Sequence, residues 1–152
     1  MRAVIQRVES AQVEVEGSTV GSCGRGYLIL LGVGPTDDEK AAQVLWDKVK
    51  HLRICQDQQG KTNLSLLDTA GELLVVSQFT LYVDCRKGRR PSFTGAAAPE
   101  LANRLYEYFC DLAEKDVTHV GRGIFGADMS VSLVNDGPFT ICLDTDDLTR
   151  PR

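Results

Sequence analysis

The sequence has few of the side chains that carry most enzyme chemistry. It contains only two histidines, His51 and His119, and its five cysteines lie 25 or more positions apart. There is no C-x-x-C pair or other metal-ligand spacing, so the sequence predicts neither a zinc site nor a disulfide framework, and we expect no metal and no cofactor. The odd number of thiols favours a reducing compartment.

Long apolar runs and an excess of positive charge are also missing. The longest strongly apolar run, residues 27–33, is far too short to span a bilayer. Charges at Arg2, Arg7 and Glu9 interrupt any apolar region of a signal peptide. We therefore predict a cytoplasmic protein with no membrane partner. Seventeen Lys and Arg against 21 Asp and Glu give a net charge of −4, which excludes coating of nucleic acid by bulk charge.

The hydrophobic pattern predicts strands along most of the chain, whose 152 residues suffice for one buried core. Residues 12–16 alternate strictly between apolar and polar, as a strand with one buried face does. The continuous apolar run at 27–33 is typical of a strand buried on both faces. The other predicted strands cover residues 3–8, 19–22, 72–83, 129–133 and 139–143.

Two helices are predicted between these strands. Thr36 and Glu39 form a capping box, and apolar residues at helical spacing follow, which places a helix over residues 37–53. Pro99 is well placed as the first residue of the second helix. The buried stripe of that helix would consist of Ala102, Leu105, Phe109 and Leu112.

The order of these elements predicts the fold class. Runs of strands precede each helix, which favours an α+β fold with a mostly antiparallel, curled, barrel-like sheet and two main helices. We expect residues 1–143 to form a single domain. Residues 144–152 have mixed charges and end in Pro-Arg, so we expect a flexible tail there.

Polar residues interrupt the long strand predicted at 72–83. Ser77, Gln78, Phe79 and Thr80 follow a solidly apolar stretch. On a regular strand the Ser77 and Thr80 side chains face opposite ways, so both can line one pocket only if the strand ends or bulges there. The alternative is that the two hydroxyls satisfy backbone groups at a strand end.

A serine triad has little support, because a nucleophile of this kind needs a base beside it. His51 lies near the end of the first predicted helix, where an imidazole usually meets the helix dipole or solvent. His119 fits a surface role better than a catalytic one.

Residues 135–138, Asn-Asp-Gly-Pro, are typical of a hairpin turn. Gly137–Pro138 is also a pair in which a cis peptide bond is accessible, because proline lowers the preference for trans. A cis bond would turn two carbonyl oxygens the same way and make a rigid acceptor surface. The pattern alone leaves both interpretations open.

Four positive charges lie within five residues of an otherwise acidic chain, at Arg86, Lys87, Arg89 and Arg90. This segment is either a solvated loop or a patch for phosphates, since Arg and Lys contacts to a nucleic-acid backbone give affinity without reading sequence. Phe93 nearby could stack on a ligand or belong to the core.

Two of these segments, Ser77-Gln-Phe-Thr-Leu81 and Asn135-Asp-Gly-Pro-Phe-Thr140, resemble the paired signatures of the D-aminoacyl-tRNA deacylases. These enzymes free tRNA that has been wrongly charged with D-amino acids. Residues 3–8, 90–93 and 125–129 also look like that family, so the likeness covers residues 1 to about 143. Residues 119–124 and the tail match the family pattern less well.

The resemblance implies a homodimer with an active site at the subunit interface. In the family the Gly-Pro pair is cis and enters the partner's pocket, a role that here falls on Gly137 and Pro138. Fixed carbonyls would exclude an L side chain and leave room for many D side chains. Glycine has no side chain, so glycyl-tRNA would also be accepted. Ser77 stands where relatives with altered chiral behaviour carry Pro, which points to the D-specific type.

The implied reaction is hydrolysis of the ester between the amino acid and the terminal ribose of tRNA. Thr80 could attack as a nucleophile, but no nearby residue supplies its base. We prefer a mechanism in which the backbone amides of Phe79 and Thr80 stabilise the oxyanion while the substrate's ribose hydroxyl helps water attack.

The remaining site residues have supporting roles in this interpretation. Ser77 and Gln78 would position the substrate, and Phe125 and Met129 would wall the pocket, although a core role for these last two is as plausible. The residues expected to contact tRNA are Arg86, Lys87, Arg89 and Arg90.

Two other functions remain open from the sequence. A non-catalytic tRNA-binding module would keep the basic segment but would have no use for a cis Gly137–Pro138 bond. A serine or threonine esterase for small substrates would need a histidine beside Ser77 or Thr80, so that replacing His119 would abolish its activity.

Overall fold

A computed structural model describes residues 1–152 as eight strands and three helices. None of its helices has the length and apolar character needed to cross a membrane. The elements in chain order are β1 (Arg2–Val15), β2 (Ser18–Cys23), β3 (Gly26–Gly32), α1 (Glu39–His51), β4 (Cys55–Gln56), β5 (Thr62–Leu64), β6 (Glu72–Ser77), a 3₁₀ turn (Phe79–Tyr82), α2 (Pro99–Glu114), β7 (Val120–Arg122), β8 (Ser130–Asp144) and α3 (Thr145–Thr149).

The main sheet has the order β2-β1-β3-β6-β7, and β8 pairs with β1. Four of the six strand pairings in the molecule are antiparallel, and the pairs β3–β6 and β6–β7 are parallel. The parallel pairs arise because α1 and α2 each lie in a crossover between neighbouring strands. The predicted α+β fold with a curled, mostly antiparallel sheet is confirmed, with this parallel part added.

The curl of the sheet brings β2 and β7 into close contact. A Cβ atom built on Gly21 would lie 2.2 Å from the Arg122 carbonyl oxygen, and one built on Gly121 would lie 2.4 Å from the Ser22 carbonyl oxygen. Only glycine fits at both positions. The His119 ring Nε2 lies 2.6 Å from the same Ser22 oxygen, so the seam also holds a side-chain hydrogen bond.

The sheet separates two apolar clusters. On β3, Tyr27, Ile29 and Leu31 face the larger cluster, which includes the buried faces of α1 and α2. Leu28 faces the smaller cluster inside the curl, together with Leu74 and Val76 of β6. The continuous apolar pattern at 27–33 is thus explained, because both faces of β3 are covered.

The first helix begins later than predicted, as its N-cap shows. The helix begins at Glu39, and the N-cap is Asp38, whose carboxylate accepts a hydrogen bond of 2.9 Å from the Ala41 amide. The Thr36–Glu39 capping box is therefore wrong, since the chain still turns at Thr36 and the helix begins three residues later.

The second helix begins at Pro99, as predicted. Ala102, Leu105 and Phe109 are buried as expected, but Leu112 is only partly covered, and Ala113 is buried in its place. One helical turn takes 3.6 residues, so a repeated spacing of three residues moves gradually off the buried face, and a spacing of four brings Ala113 back onto it.

Two strand predictions are also wrong. β6 ends at Ser77 and not at residue 83, because the chain turns into a 3₁₀ helix. Residues 135–138 do not reverse the chain, because β8 runs from Ser130 to Asp144 against β1, with an interruption at these residues.

The end of the chain differs from the unordered tail that we expected. Residues 145–149 form α3, and the Asp144 carboxylate accepts from the Asp146 amide at its start. Thr145 is buried, and its hydroxyl accepts a hydrogen bond of 2.6 Å from the Met1 amino group. The proposed domain boundary at residue 143 stays a prediction.

Candidate active site

An apolar pocket of about 450 Å³ opens where β6 ends. Four of the predicted site residues line the pocket. The rest of its wall comes from α2, from the segment before α2 and from the segment after β7. The lining residues are Ser77, Phe79, Phe93, Ala96, Ala97, Pro99, Ala102, Phe125, Gly126, Ala127 and Met129. The structure therefore brings Ser77, Phe79, Phe125 and Met129 together around one pocket, and their roles there stay predictions.

The end of β6 exposes backbone donors beside this pocket. The Gln78 amide still donates to the Leu31 carbonyl of β3, at 2.8 Å, and the 3₁₀ turn begins at the next residue. Amides in the first turn of a helix have no acceptor within the helix. The Gln78 side chain does not cap them, because its Nε2 donates to the Thr80 hydroxyl, at 2.5 Å. The amides of Phe79 and Thr80 therefore donate neither to a backbone carbonyl nor to a side chain.

Side chains from distant elements hold the 3₁₀ turn against the sheet. Arg2 Nη1 donates to the Leu81 carbonyl, at 2.8 Å, and the Arg2 guanidinium lies 4.4 Å from the centre of the Tyr82 ring. The Tyr82 hydroxyl donates to the Asp37 carboxylate, at 3.3 Å. Burial, with Asp37 nearby, raises the pKa of the Tyr82 phenol, so it remains a neutral donor at physiological pH.

Two aromatic rings form the outer rim of the pocket. The Phe79 and Phe93 rings meet edge to face, with centroids 5.3 Å apart and an angle of 77°. Phe79 is 55% exposed although it is large and apolar. An exposed aromatic pair at the mouth of an apolar pocket is suited to cover a flat ligand group.

No titratable base stands beside the hydroxyls of Ser77 and Thr80. The His119 carbonyl accepts from the Leu73 amide, which places that histidine four residues back along β6, or roughly 13 Å from Ser77 by the rise of a strand. The His51 imidazole bonds to the Asp47 carbonyl on the exposed face of α1. Among the thiols, burial raises the pKa of Cys23 to about 11 and that of Cys110 to about 12, so neither forms a thiolate near neutral pH.

The second predicted site segment is a loop that interrupts the pairing of β8 with β1. Gln6 pairs with Thr140 and Val8 pairs with Asn135, so the four residues 136–139 stand opposite Arg7 alone. Gly137 and Pro138 lie exposed in this loop, and the peptide bond between them is cis, as expected. We call residues 136–139 the Gly137 loop.

Arg7 supports the Gly137 loop from below. Its side chain is only 6% exposed, and its guanidinium lies 4.6 Å from the centre of the Phe139 ring. Arg7 Nε donates to the Asp136 carbonyl, at 3.0 Å, and Nη1 donates to the Ile54 carbonyl, at 2.7 Å. A buried guanidinium bound on two sides fixes the start of the loop.

Within one chain the Gly137 loop does not reach the pocket. Ser77 pairs with Leu31 and Leu31 pairs with Ala3, whereas the loop stands opposite Arg7, four residues farther along β1. Three strand spacings across the sheet and four residues along it put the loop roughly 20 Å from Ser77. The two predicted halves of the site are therefore separate in a single chain.

The basic segment precedes Phe93 of the pocket rim in the chain. A bridge between Asp84 and Ser92 closes a loop that contains Arg86, Lys87, Arg89 and Arg90, and all four are exposed. Arg86 is already paired, because its guanidinium donates twice to the Asp84 carboxylate, and these hydrogen bonds lower the pKa of Asp84 to about 2. Lys87, Arg89 and Arg90 make no such pair in the structure.

Only indirect signals in the sequence point to the residues that support the Gly137 loop. Arg7 and Gln6 are polar residues inside an alternating strand, and their contacts depend on strand pairing with residues about 130 positions away. The sequence is compatible with either a stacking role or a core role for Phe93, and in the structure this residue lines the pocket.

Comparisons with known proteins agree along nearly the whole chain. Residues 4–144 match the family model described as D-Tyr-tRNA(Tyr) deacylase. The D-aminoacyl-tRNA deacylase of Thermosipho africanus is 57% identical over 95% of this chain and 97% of its own length. That of Roseiflexus castenholzii is 56% identical over 100% of this chain and 97% of its own.

Solved structures with the same fold extend this comparison. The c-Myc DNA Unwinding Element Binding Protein superposes with a TM-score of 0.90 at 39% identity, covering 95% of this chain and 98% of its own. A probable eukaryotic D-amino acid tRNA deacylase gives a TM-score of 0.83 at 18% identity, over 93% of this chain and 97% of its own, and shares the fold. With the family model covering nearly all of it, this chain belongs to the D-Tyr-tRNA(Tyr) deacylase family, a family of hydrolases.

Proposed function

We propose that the protein hydrolyses the ester bond of D-aminoacyl-tRNA, releases the free D-amino acid and the tRNA, and rejects L-aminoacyl-tRNA through the backbone of Gly137 and Pro138. Family membership supports the deacylase activity. The observation that carries the mechanism is the apolar pocket at the end of β6, which is lined by Ser77 and Phe79 and by no titratable base, at the start of a 3₁₀ turn whose first two amides make no hydrogen bond.

The chemistry uses backbone donors and the substrate's own hydroxyl. Water attacks the ester carbonyl carbon, and negative charge develops on the carbonyl oxygen, which the amides of Phe79 and Thr80 stabilise. The bond between the carbonyl carbon and the ribose oxygen then breaks, and the ribose oxygen leaves with a proton. The free ribose hydroxyl next to the ester helps to take the proton from water. In this scheme Ser77 and Gln78 position the substrate, and Gln78 also holds the Thr80 hydroxyl.

A second copy of the chain completes the site in this proposal. The Gly137 loop lies too far from its own pocket to contact a substrate there, so only the loop of another copy could enter it. We therefore propose a homodimer with the active site at the subunit interface. The exposed tip of the loop and the open pocket support this arrangement.

Chiral selection follows from what the loop presents. Gly137 has no side chain, and Pro138 has no amide hydrogen, so the tip offers mainly carbonyl oxygens to the substrate. Carbonyl groups held in place leave no room for the side chain of an L-amino acid. They do not restrict the side chain of a D-amino acid, which points the other way. Glycyl-tRNA passes the same filter because it has no side chain.

The basic segment fits the acceptor end of tRNA. Lys87, Arg89 and Arg90 are exposed in the segment that leads to Phe93 of the pocket rim, and they can contact phosphates without reading sequence. We place the protein in the cytoplasm, where aminoacyl-tRNA is used.

The proposal is tested by measuring hydrolysis of matched D-tyrosyl-tRNA and L-tyrosyl-tRNA by the purified protein. We expect the D ester to be hydrolysed at least 100-fold faster, because a rejected L side chain would clash with fixed backbone. Thr80→Ala, which keeps its amide, should retain the activity within about tenfold, whereas loss of an obligatory nucleophile costs on the order of 10⁴ or more.

His119→Ala is the control for the esterase alternative. It should leave the rates unchanged, because His119 lies at the seam between β2 and β7. A loss of activity in this variant would support a histidine-dependent esterase. Equal rates on both esters would contradict the Gly137–Pro138 filter, and tRNA binding without hydrolysis would favour a binding module.

A further inference from the structure

The Gly137 loop has a base of three polar side chains that the proposed mechanism does not use. Gln6 on β1 lies between Asn135 and Thr140, the two residues that bracket the loop on β8. Gln6 Oε1 accepts from the Asn135 amide nitrogen and from the Thr140 hydroxyl, each at 2.5 Å. One oxygen atom thus joins both ends of the four-residue loop to the facing strand.

The direction of these hydrogen bonds is fixed by a backbone group. The Phe139 amide is a donor, and it lies 2.7 Å from the Asn135 side-chain oxygen. The other Asn135 atom is therefore its NH₂ group, which can only donate. The Gln6 atom that faces this group must accept, so it is the oxygen, and the Thr140 hydroxyl donates to the same atom. The network requires an acceptor at position 6 and no donor.

We infer that Gln6 is a positioning residue for chiral selection, acting through Asn135 and Thr140 on the placement of Gly137 and Pro138. This role rests on the proposed filter. Arg7 holds the start of the loop through the Asp136 carbonyl, and the Asn135 side chain spans the loop by accepting from the Phe139 amide. Gln6 is the contact that ties both flanking residues to the facing strand β1. If the ends separate, the carbonyls at the tip shift and the space for an L side chain opens.

Gln6 should affect selection more than catalysis. It lies on β1 next to the loop, far from the pocket and the 3₁₀ turn of its own chain. A displaced loop would admit the L ester, while the amides of Phe79 and Thr80 would still act on the D ester. The expected signature is therefore a change in the ratio of the two rates, which a general loss of folding would not produce.

The test compares three variants by their ratios of D-tyrosyl-tRNA to L-tyrosyl-tRNA hydrolysis. Gln6→Leu removes the acceptor and should lower the ratio about tenfold, the scale expected for loss of a bridging hydrogen-bond pair. Gln6→Glu keeps an oxygen acceptor of the same length and should remain within about threefold of the wild-type ratio. Gln12→Leu makes the same substitution on the same strand, where the side chain binds Glu14, and should leave the ratio unchanged.

Each outcome separates this inference from the proposed function. A selective wild-type protein whose ratio is unchanged in Gln6→Leu would overturn the inference and leave the filter intact. The same fall in Gln6→Glu and in Gln6→Leu would also overturn it, because the acceptor would then not matter. A wild-type protein without selectivity would overturn the filter itself, and the role of Gln6 with it.

A second variant keeps the test decisive if Gln6→Leu does not fold. Thr140→Val removes one donor while keeping the branched shape that suits an exposed strand position. We expect its ratio to fall about threefold, as one hydrogen bond is lost instead of two. An unchanged ratio in folded Thr140→Val would overturn the inference.

Discussion

The turn that follows β6 and the Gly137 loop within β8 differ in what holds them in place. The turn begins where a strand buried on both faces ends, and it presents backbone amides beside an apolar pocket. The loop interrupts a mostly exposed strand, and it presents backbone carbonyls that are held by Gln6, Arg7 and Asn135. One segment is positioned by the core and the other by a few polar side chains.

This difference suggests a division of labour. Donors that stabilise a developing charge need a rigid, water-poor setting, which the end of a core strand provides. A steric barrier needs only a fixed outline, which a supported loop can provide. Substitutions at the loop should therefore alter selection and loop placement, and substitutions around the pocket should alter binding and rate.

The largest effect is expected from Gly137→Ala. Gly137 has φ of +135°, and an added Cβ would lie 3.0 Å from Arg7 Nη2 and 3.1 Å from the Phe139 amide nitrogen. The loop must move, and a displacement of about 1 Å can change relative rates on the order of 10². Because a displaced loop admits the L ester while the amides of Phe79 and Thr80 stay in place, we expect the ratio of D-tyrosyl-tRNA to L-tyrosyl-tRNA hydrolysis to fall by up to that factor, measured under single-turnover conditions.

Gly60→Ala is the matched control for that change. Gly60 also has a positive φ, +78°, but no atom lies within 4 Å of an added Cβ. It should lower the free energy of unfolding by about 1 kcal/mol and leave the hydrolysis rate unchanged. An equal fall of the D-to-L ratio in both variants would mean that backbone strain, and not the loop's placement, explains the effect.

A smaller effect is expected on the pocket side from Phe93→Leu. The edge-to-face contact with Phe79 would be lost, and such pairs contribute about 0.5 to 1.5 kcal/mol. If the rim binds substrate and transition state equally, KM rises up to about tenfold and kcat stays constant. Val83→Ala, an exposed apolar residue outside the pocket, should change neither parameter. A fall in kcat alone would instead place Phe93 among the groups that act in the transition state.

The smallest effect concerns the salt dependence of KM, which we expect to arise on the pocket side only. Arg89→Ala or Arg90→Ala should each reduce the slope of log KM against log salt by about 0.7 to 0.9 if the residue contacts a phosphate. Arg86→Ala should reduce it less, because Asp84 already binds that guanidinium. If all three substitutions reduced the slope equally, the pairing of Arg86 with Asp84 would have no effect on salt dependence, and the prediction would be wrong.

The sequence predicted the two site segments for different reasons and with different success. The break at Ser77 was visible because polar residues follow a run of buried aliphatic ones, and the structure turns the chain there. The extent of the strand was wrong, since strand propensity continues through Leu81 to Val83 and only the tertiary contacts of Arg2 and Tyr82 fix the 3₁₀ turn.

The loop was harder to predict because its backbone resembles a hairpin turn in composition. Asn, Asp, Gly and Pro suit both a chain reversal and an outward loop, and only the pairing of β8 with β1 on both sides distinguishes them. The contacts of Gln6 and Arg7 could not be predicted for the same reason, because they join residues that are about 130 positions apart.

The double burial of β3 and β6 has a consequence for motion at the active site. Strands covered on both faces are the last parts of a protein to open, so their amides should show the slowest hydrogen exchange in the molecule. The Gln78 amide, bonded to Leu31 at the end of this region, would exchange nearly as slowly as the core. The amides of Phe79 and Thr80, which we propose as the oxyanion donors, would then begin one residue beyond the most persistent part of the fold, where thermal fluctuation disturbs their geometry least.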